Sequence, residues 1–147
     1  MDKKLKISFM KLDERAKAPV YGSALAAGAD LRTIEAVEIK PQETVLIHTG
    51  LAIAIPEGYG GFIFARSGLA TKRLLAPANK VGVIDADYRG EIMVPLFNNG
   101  SKTQYLDADE RVAQLVFLET PQASFIEINE LDETARNAGG FGSTGIK

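Results

Sequence analysis

The chain has no cysteine, no tryptophan and a single histidine, His48, among its 147 residues. Without thiols there is neither a disulfide framework nor a thiolate metal site, and one imidazole cannot build a histidine-rich one, so any metal would take oxygen ligands. Charge of one sign is lacking too: 17 Lys and Arg against 19 Asp and Glu leave a net charge of −2. The basic residues are scattered without a stripe or block, which argues against a nucleic acid polymer as partner and leaves a small anionic ligand open. No apolar run reaches membrane-spanning length, and Met1-Asp2-Lys3-Lys4-Leu5-Lys6 leads into alternating residues with no apolar signal core. The expectation is a cytoplasmic protein without membrane contact. An apolar share of 46% with 24% charged residues is ordinary for a soluble domain, and the length suits one domain with a sizeable core.

What is present is mostly strand signal. Leu5, Ile7 and Phe9 alternate with polar neighbours and predict a first strand with one face buried. Asp13 to Gly28 is broken by Pro19 and Gly22 and predicts a long connection. Val37 and Ile39 alternate before Pro41. Val45, Ile47, Leu51, Ile53 and Ile55 then keep odd-numbered register up to Pro56, predicting two or three strands with His48 on the opposite, half-exposed face. Glu57 to Gly61 is a turn cluster before a short strand, Phe62-Ile63-Phe64. Ile92 to Phe97 is a strand whose Pro95 suggests an edge or a bulge, and Asn98 to Ser101 is a turn. Arg111 to Leu118 is apolar on both faces apart from Arg111 and Gln114, which predicts an interior strand. Phe125, Ile126 and Ile128 suggest a last weak strand.

Four places carry chemistry. Gly82 to Glu91 reads as a β-hairpin: Val83 and Ile84 form a strand, Asp85 to Arg89 a turn, Gly90 an unusual backbone, and Glu91 to Val94 the return. Asp85 at the strand-to-turn junction is either an Asx-turn anchor or a rigidly held general base, with burial beside apolar neighbours raising its proton affinity. Ser67 to Leu75 suggests a short helix, so that Arg66, the Ser67 hydroxyl and free N–H groups near Gly68 converge on a phosphate, or Ser67 merely caps the helix. Gln114, inside an apolar strand, either ties backbones together or turns its amide to a ligand or water. The tail from Arg136 to Gly145 is rich in glycine, as linkers and frayed ends are. It also holds an arginine for phosphate, Phe141 to stack on a base, and Gly142, Ser143 and Thr144 to offer N–H and hydroxyl groups, the makings of a closing flap.

In this order the segments resemble the trimeric all-β deoxyuridine triphosphatases (dUTPases), over nearly the whole chain. Five motifs carry the resemblance: Ala27-Gly28-Ala29-Asp30-Leu31; Arg66-Ser67-Gly68-Leu69-Ala70; Gly82-Val83-Ile84-Asp85 with Asp87-Tyr88-Arg89-Gly90; Arg111-Val112-Ala113-Gln114-Leu115; and Arg136 with Gly139-Gly140-Phe141-Gly142-Ser143-Thr144-Gly145. The resemblance implies a jelly-roll-like β-barrel over residues 1–135, a flexible glycine-rich arm over 136–147 that closes on a neighbour's active site, and a homotrimer with shared sites. It implies hydrolysis of dUTP to dUMP and pyrophosphate by water attack on the α-phosphorus, with Mg²⁺ held by the substrate's phosphates and water rather than directly by the protein. That activity lowers dUTP and supplies dUMP for thymidylate synthesis.

By the same resemblance Asp85 is the base and Gln114 holds the water or an α-phosphate oxygen. Arg66, Ser67 and the Gly68 N–H neutralise phosphate charge, and Arg136 grips the γ-phosphate. Asn79 and backbone groups from Val83, Ile84, Asp85 and Met93 read uracil, rejecting thymine by its methyl and cytosine by its reversed donors and acceptors. Tyr88 lies beneath the sugar and excludes a 2′-hydroxyl, and Phe141, Gly142 and Ser143 close over the nucleotide. Asp30 and Arg111 orient the phosphate-binding groups from behind. Asn137 departs from the family's usual glycine; it tolerates left-handed backbone less freely. The alternatives are a dCTP deaminase-like enzyme of the same fold, which needs a carboxylate at the cytosine amino group, and a non-catalytic nucleotide-sensing protein.

Overall fold

The β-branched and aliphatic alternation is drawn into short strands in the computed structural model, which describes residues 4–145. In chain order these are β1 (Ser8–Lys11), β2 (Val20–Tyr21), β3 (Ala29–Arg32), β4 (Val37–Ile39), β5 (Thr44–His48), β6 (Leu51–Ala54), β7 (Tyr59–Phe64), a helix α1 (Ser67–Lys72), β8 (Leu75–Pro77), β9 (Gly82–Ile84), β10 (Met93–Asn98), β11 (Gln104–Leu106) and β12 (Arg111–Glu119). The ends of the expected barrel and arm, residues 1–3 and 146–147, lie outside the described residues, and with them the start of the N-terminal stretch read above.

The largest sheet has the order β2-β3-β12-β7-β9, a second the order β5-β10-β8, and two ribbons pair β1 with β6 and β11 with β4. Every pairing is antiparallel, and neighbours are seldom consecutive in sequence, so the chain crosses repeatedly between layers. This is the expected jelly-roll-like all-β architecture. The core between the layers is aliphatic: Leu31, Ile39, Ile47, Val94, Leu96, Leu106, Val112 and Leu115 are all but sealed from solvent. Each such side chain contributes about 1.5–3 kcal/mol by leaving water. β12 is interior as predicted, flanked by β3 and β7.

The expected alternation from Val45 to Ile55 forms two strands, which lie in different sheets because the Thr49–Gly50 corner turns the chain. Gly50 has φ +67°, and a Cβ there would meet Ala16 Cβ at 3.0 Å. Several other local expectations are corrected. Tyr59, Gly60 and Gly61 belong to β7 rather than to the turn before it. The long connection contains β2, and the segment before Asp107 contains β11. Pro95 is not at an edge, since β10 is the central strand of its sheet. Its carbonyl accepts the Ala78 N–H at 2.7 Å, just beyond the end of β8 at Pro77. The missing proline N–H thus faces the place where the neighbouring ladder has already stopped.

One apolar face expected to be buried is largely open, with only Ile7 packed on the core, and one expected strand does not form. β1 begins at Ser8, pairs only with β6 and leaves Leu5 and Phe9 exposed. Phe125, Ile126 and Ile128 form no strand and lie open to solvent, with Phe125 95% exposed. Alternation supplies a strand's faces but not the neighbouring edge whose hydrogen bonds a strand requires.

Candidate active site

β9 and the strand after it do not form a hairpin with each other. β9 pairs with β7 in the large sheet, and β10 pairs with β5 and β8 in the other. The residues between them cross from sheet to sheet, and a cavity of about 250 Å³ opens at the crossing. Asn79, Val83, Ile84, Asp85, Tyr88 and Met93, all expected from the sequence, line it together. Leu46, Ile63, Gly82, Glu91 and Ile92 line it too and were not anticipated. Glu91 could have been found from its place directly after the Asp85–Gly90 turn; Leu46 and Ile63 arrive through strand pairing and leave no local signal.

The turn is held by its own bonds. The Tyr88 N–H donates to the Asp85 carbonyl at 3.1 Å and the Tyr88 hydroxyl to the Glu91 carbonyl at 2.8 Å, while Arg89 Nη1 donates to the Ala86 carbonyl at 2.7 Å. Gly90 serves space rather than backbone geometry. Its φ is not positive, but a Cβ there would lie 2.4 Å from the Tyr88 hydroxyl. The Asp85 side chain is exposed at the cavity's rim, so its own chain does not supply the apolar burial expected for it. The Asp85 carbonyl, not its carboxylate, makes the turn's hydrogen bond, so the carboxylate is left to face the opening.

A second group of expected residues gathers where β3, β12 and the end of β7 meet. Asp30 and Gln114 are partners across the β3–β12 ladder, and Gln114 is also opposite Phe64. Gln114 Nε2 donates to the Ala65 carbonyl at 2.9 Å. Asp30 holds two guanidinium groups, Arg66 Nε at 3.1 Å on Oδ1 and Arg111 Nη1 at 3.3 Å on Oδ2, and Arg66 Nη1 reaches the Arg111 carbonyl at 3.4 Å. The Asp30 side chain is only 17% exposed, which lets an otherwise weak pair of surface ion contacts set geometry. Fixed by Asp30, the arginines keep N–H groups for an anion. Both Asp30 oxygens are thus engaged by guanidinium groups. Among the described residues no group of three His, Cys, Asp or Glu is placed to hold a metal ion.

Arg66 is itself the N-cap of α1, without a side-chain capping bond, so Ser67 is the first helical residue and not the cap. Ser67 and Gly68 are exposed, and nothing lies within 4 Å of a Cβ built on Gly68, so a ligand has room to approach that backbone. None of Asp30, Arg66, Ser67, Gly68, Arg111 and Gln114 lines the cavity that holds Asp85. Arg136, Phe141, Gly142 and Ser143 join neither group. Among the described residues the tail makes only local bonds, such as Arg136 Nε to the Gly139 carbonyl at 2.7 Å, and Phe141 is fully exposed. Asn137 adopts a left-handed backbone, φ +44°, with its Oδ1 accepting the Thr134 N–H at 2.8 Å. No described helix is long and apolar enough to cross a membrane.

Known proteins resemble this chain in sequence and in fold. The dUTPase family model matches residues 14–145. A deoxyuridine 5′-triphosphate nucleotidohydrolase of Desulfitobacterium hafniense is 49% identical over 146 residues, covering 97% of each chain. A structure of the Staphylococcus bacteriophage 80alpha dUTPase with dUpNHpp superposes with a TM-score of 0.90 at 27% identity, covering 96% of this chain and 99% of that one. A dUTPase from phage phi11 of S. aureus, described with a structural Mg(II) ion, gives a TM-score of 0.79 at 26% identity, over 85% of this chain and 97% of that one. The five motifs, the jelly-roll-like strands and these matches lead to one assignment: the chain belongs to the dUTPase family.

Proposed function

We propose that this chain hydrolyses dUTP to dUMP and pyrophosphate, as a homotrimer whose active sites are shared between chains. The observation that carries this is the division of the expected residues into a small cavity beside Asp85 and a separate cluster of arginines around Asp30. A cavity of about 250 Å³ suits a base and sugar and none of the arginines lines it, whereas the arginine cluster around Asp30 suits phosphates. The exposed apolar side chains of Phe125, Ile126 and Leu131 further support association with other copies.

Within the cavity Asn79 and the backbone around Val83, Ile84, Asp85 and Met93 read the uracil edge, and Tyr88 underlies the sugar, where a 2′-hydroxyl has no place. Asp85 takes a proton from the water that attacks the α-phosphorus, and the Gln114 amide holds that water or a phosphate oxygen in line. Arg66, Ser67 and the Gly68 N–H meet the charge that builds as the bond to pyrophosphate breaks, with Asp30 and Arg111 keeping Arg66 aimed. Arg136 grips the γ-phosphate while Phe141, Gly142 and Ser143 close from a neighbouring chain. Mg²⁺ bound to the phosphates supplies further charge neutralisation. We place the enzyme in the cytoplasm, where it lowers dUTP and yields dUMP for thymidylate synthesis.

A pyrophosphate-release assay with dUTP, dCTP, dTTP and UTP, with and without Mg²⁺, tests the proposal. Rapid turnover of dUTP alone, dependent on Mg²⁺, is expected. Ammonia release from dCTP would mean a deaminase instead, and tight dUTP binding without pyrophosphate would mean a sensor.

A further inference from the structure

His48 has no part in the reaction outlined above, yet it stands against the wall of the cavity that carries Asp85. Its Nδ1 lies 3.0 Å from Glu91 Oε2, and Glu91 lines that cavity. An ionised carboxylate only accepts hydrogen bonds, so the proton in this contact sits on Nδ1. The other Glu91 oxygen, Oε1, accepts the Gly50 N–H at 2.9 Å. Both oxygens are thus engaged by the corner between β5 and β6. The backbone next to Glu91 is clamped to the same corner. Thr49 Oγ1 donates to the Ile92 carbonyl at 2.6 Å, and the Ile92 N–H donates to the Leu51 carbonyl at 2.7 Å. On the opposite side the Glu91 carbonyl accepts the Tyr88 hydroxyl at 2.8 Å, and Tyr88 is tied in turn to the Asp85 carbonyl.

We propose that the His48–Glu91 pair is a positioning device for the nucleoside pocket. It anchors the far end of the Asp85–Gly90 turn to β5 and, through the Tyr88 hydroxyl, fixes the height of the sugar platform relative to the Asp85 carboxylate. The proposal rests on the assignment of this cavity to the base and sugar of dUTP. In that assignment neither His48 nor the Glu91 carboxylate touches a reacting atom. With side chains 42% and 22% exposed, the pair acts by geometry more than by Coulombic strength. Loosening it disturbs how deoxyribose is held, and distinguished from ribose, before it disturbs the chemistry at phosphorus.

A lone histidine gives a lone imidazole signal, so the pair can be watched directly by NMR. Saturating the full-length protein with a non-hydrolysable dUTP analogue and Mg²⁺ is expected to shift the His48 Cε1–H resonance, and Glu91→Gln is expected to abolish that shift. In steady state His48→Ala and Glu91→Gln should each raise KM for dUTP about tenfold, with kcat changed less than about threefold and the preference for dUTP over UTP narrowed. His48→Asn, whose amide can still donate to Glu91, should recover most of the loss. If calorimetry shows the analogue binding while the His48 signal stays still, or if both variants keep the native KM and sugar preference, the positioning role is wrong and the dUTPase assignment stands. If the native chain binds no analogue at all, the assignment of the cavity fails and the positioning role fails with it.

Discussion

Gln114 occupies the space that a side chain at Gly28 would fill. A Cβ on Gly28 would lie 2.5 Å from Gln114 Oε1 and 3.0 Å from its Cβ, so the glycine is what allows the amide to lie across β3 and reach the Ala65 carbonyl. Gly28→Ala is therefore expected to displace Gln114 rather than to strain its own backbone, whose φ is not positive. If the Gln114 amide holds the attacking water as proposed, moving it by about 1 Å should lower kcat about a hundredfold while thermal stability changes little. Steady-state kinetics beside a melting curve checks this; a native kcat would remove Gln114 from the mechanism.

Asp85→Asn keeps the shape of the cavity rim and removes the proposed proton acceptor. We expect kcat to fall by about 10²–10⁴ with the affinity for a non-hydrolysable analogue nearly unchanged. Calorimetric titration and single-turnover measurements separate the two quantities. Unchanged turnover would assign the base elsewhere.

Removal of the residues after Asn137 takes away Phe141 and the hydroxyl and N–H groups around it. Among the described residues the tail makes only local bonds in the single chain, so the barrel should melt at an unchanged temperature. Turnover should nonetheless be almost lost, because nothing then closes over the nucleotide. Phe141→Ala should reproduce part of the loss. A truncated chain with full rate would contradict the closing role.

Two carboxylates make stability depend on acid. The Arg15 side chain and backbone N–H hold the Asp13 carboxyl down to about 2, and Lys17 holds the Asp109 carboxyl below the usual range. Groups lowered in the folded state stabilise it above the unfolded carboxylate value of about 4 and lose that contribution as pH falls through the folded value. Arg15 lies two residues from Asp13, so much of that contact survives unfolding. Lys17 and Asp109 are 92 residues apart and meet only in the fold. Lys17→Met should therefore lower the melting temperature slightly at pH 7, and the difference from the native chain should vanish as pH drops below the Asp109 value. A difference that persists in acid would show the loss to be one of packing.

How much of this was legible beforehand differs from segment to segment for physical reasons. Arg111 to Leu118 declared itself interior because both faces are apolar, and burial on both faces is what the middle of a sheet demands. The Val45–Ile55 alternation hid a change of sheet, since the Thr49–Gly50 corner adds two residues and so preserves parity. Pro95 misled because its constraint depends on where a neighbouring ladder ends. The Gly82–Glu91 hairpin failed similarly: turn chemistry is local, but the choice of partner strand is made by the rest of the fold. At the site, Asp85, Arg66 and Gln114 stood out through their motifs. Leu46, Ile63 and the steric role of Gly28 emerged only once strands distant in sequence lay side by side.

Under the shared-site assembly proposed above, the separation of the Asp85 cavity from the Asp30 cluster would make catalytic competence a collective property. A chain crippled at one half still carries a sound version of the other. Mixing Asp85→Asn chains with Arg66→Ala chains should then restore activity that neither parent has alone, as hybrid assemblies complement one another's defects.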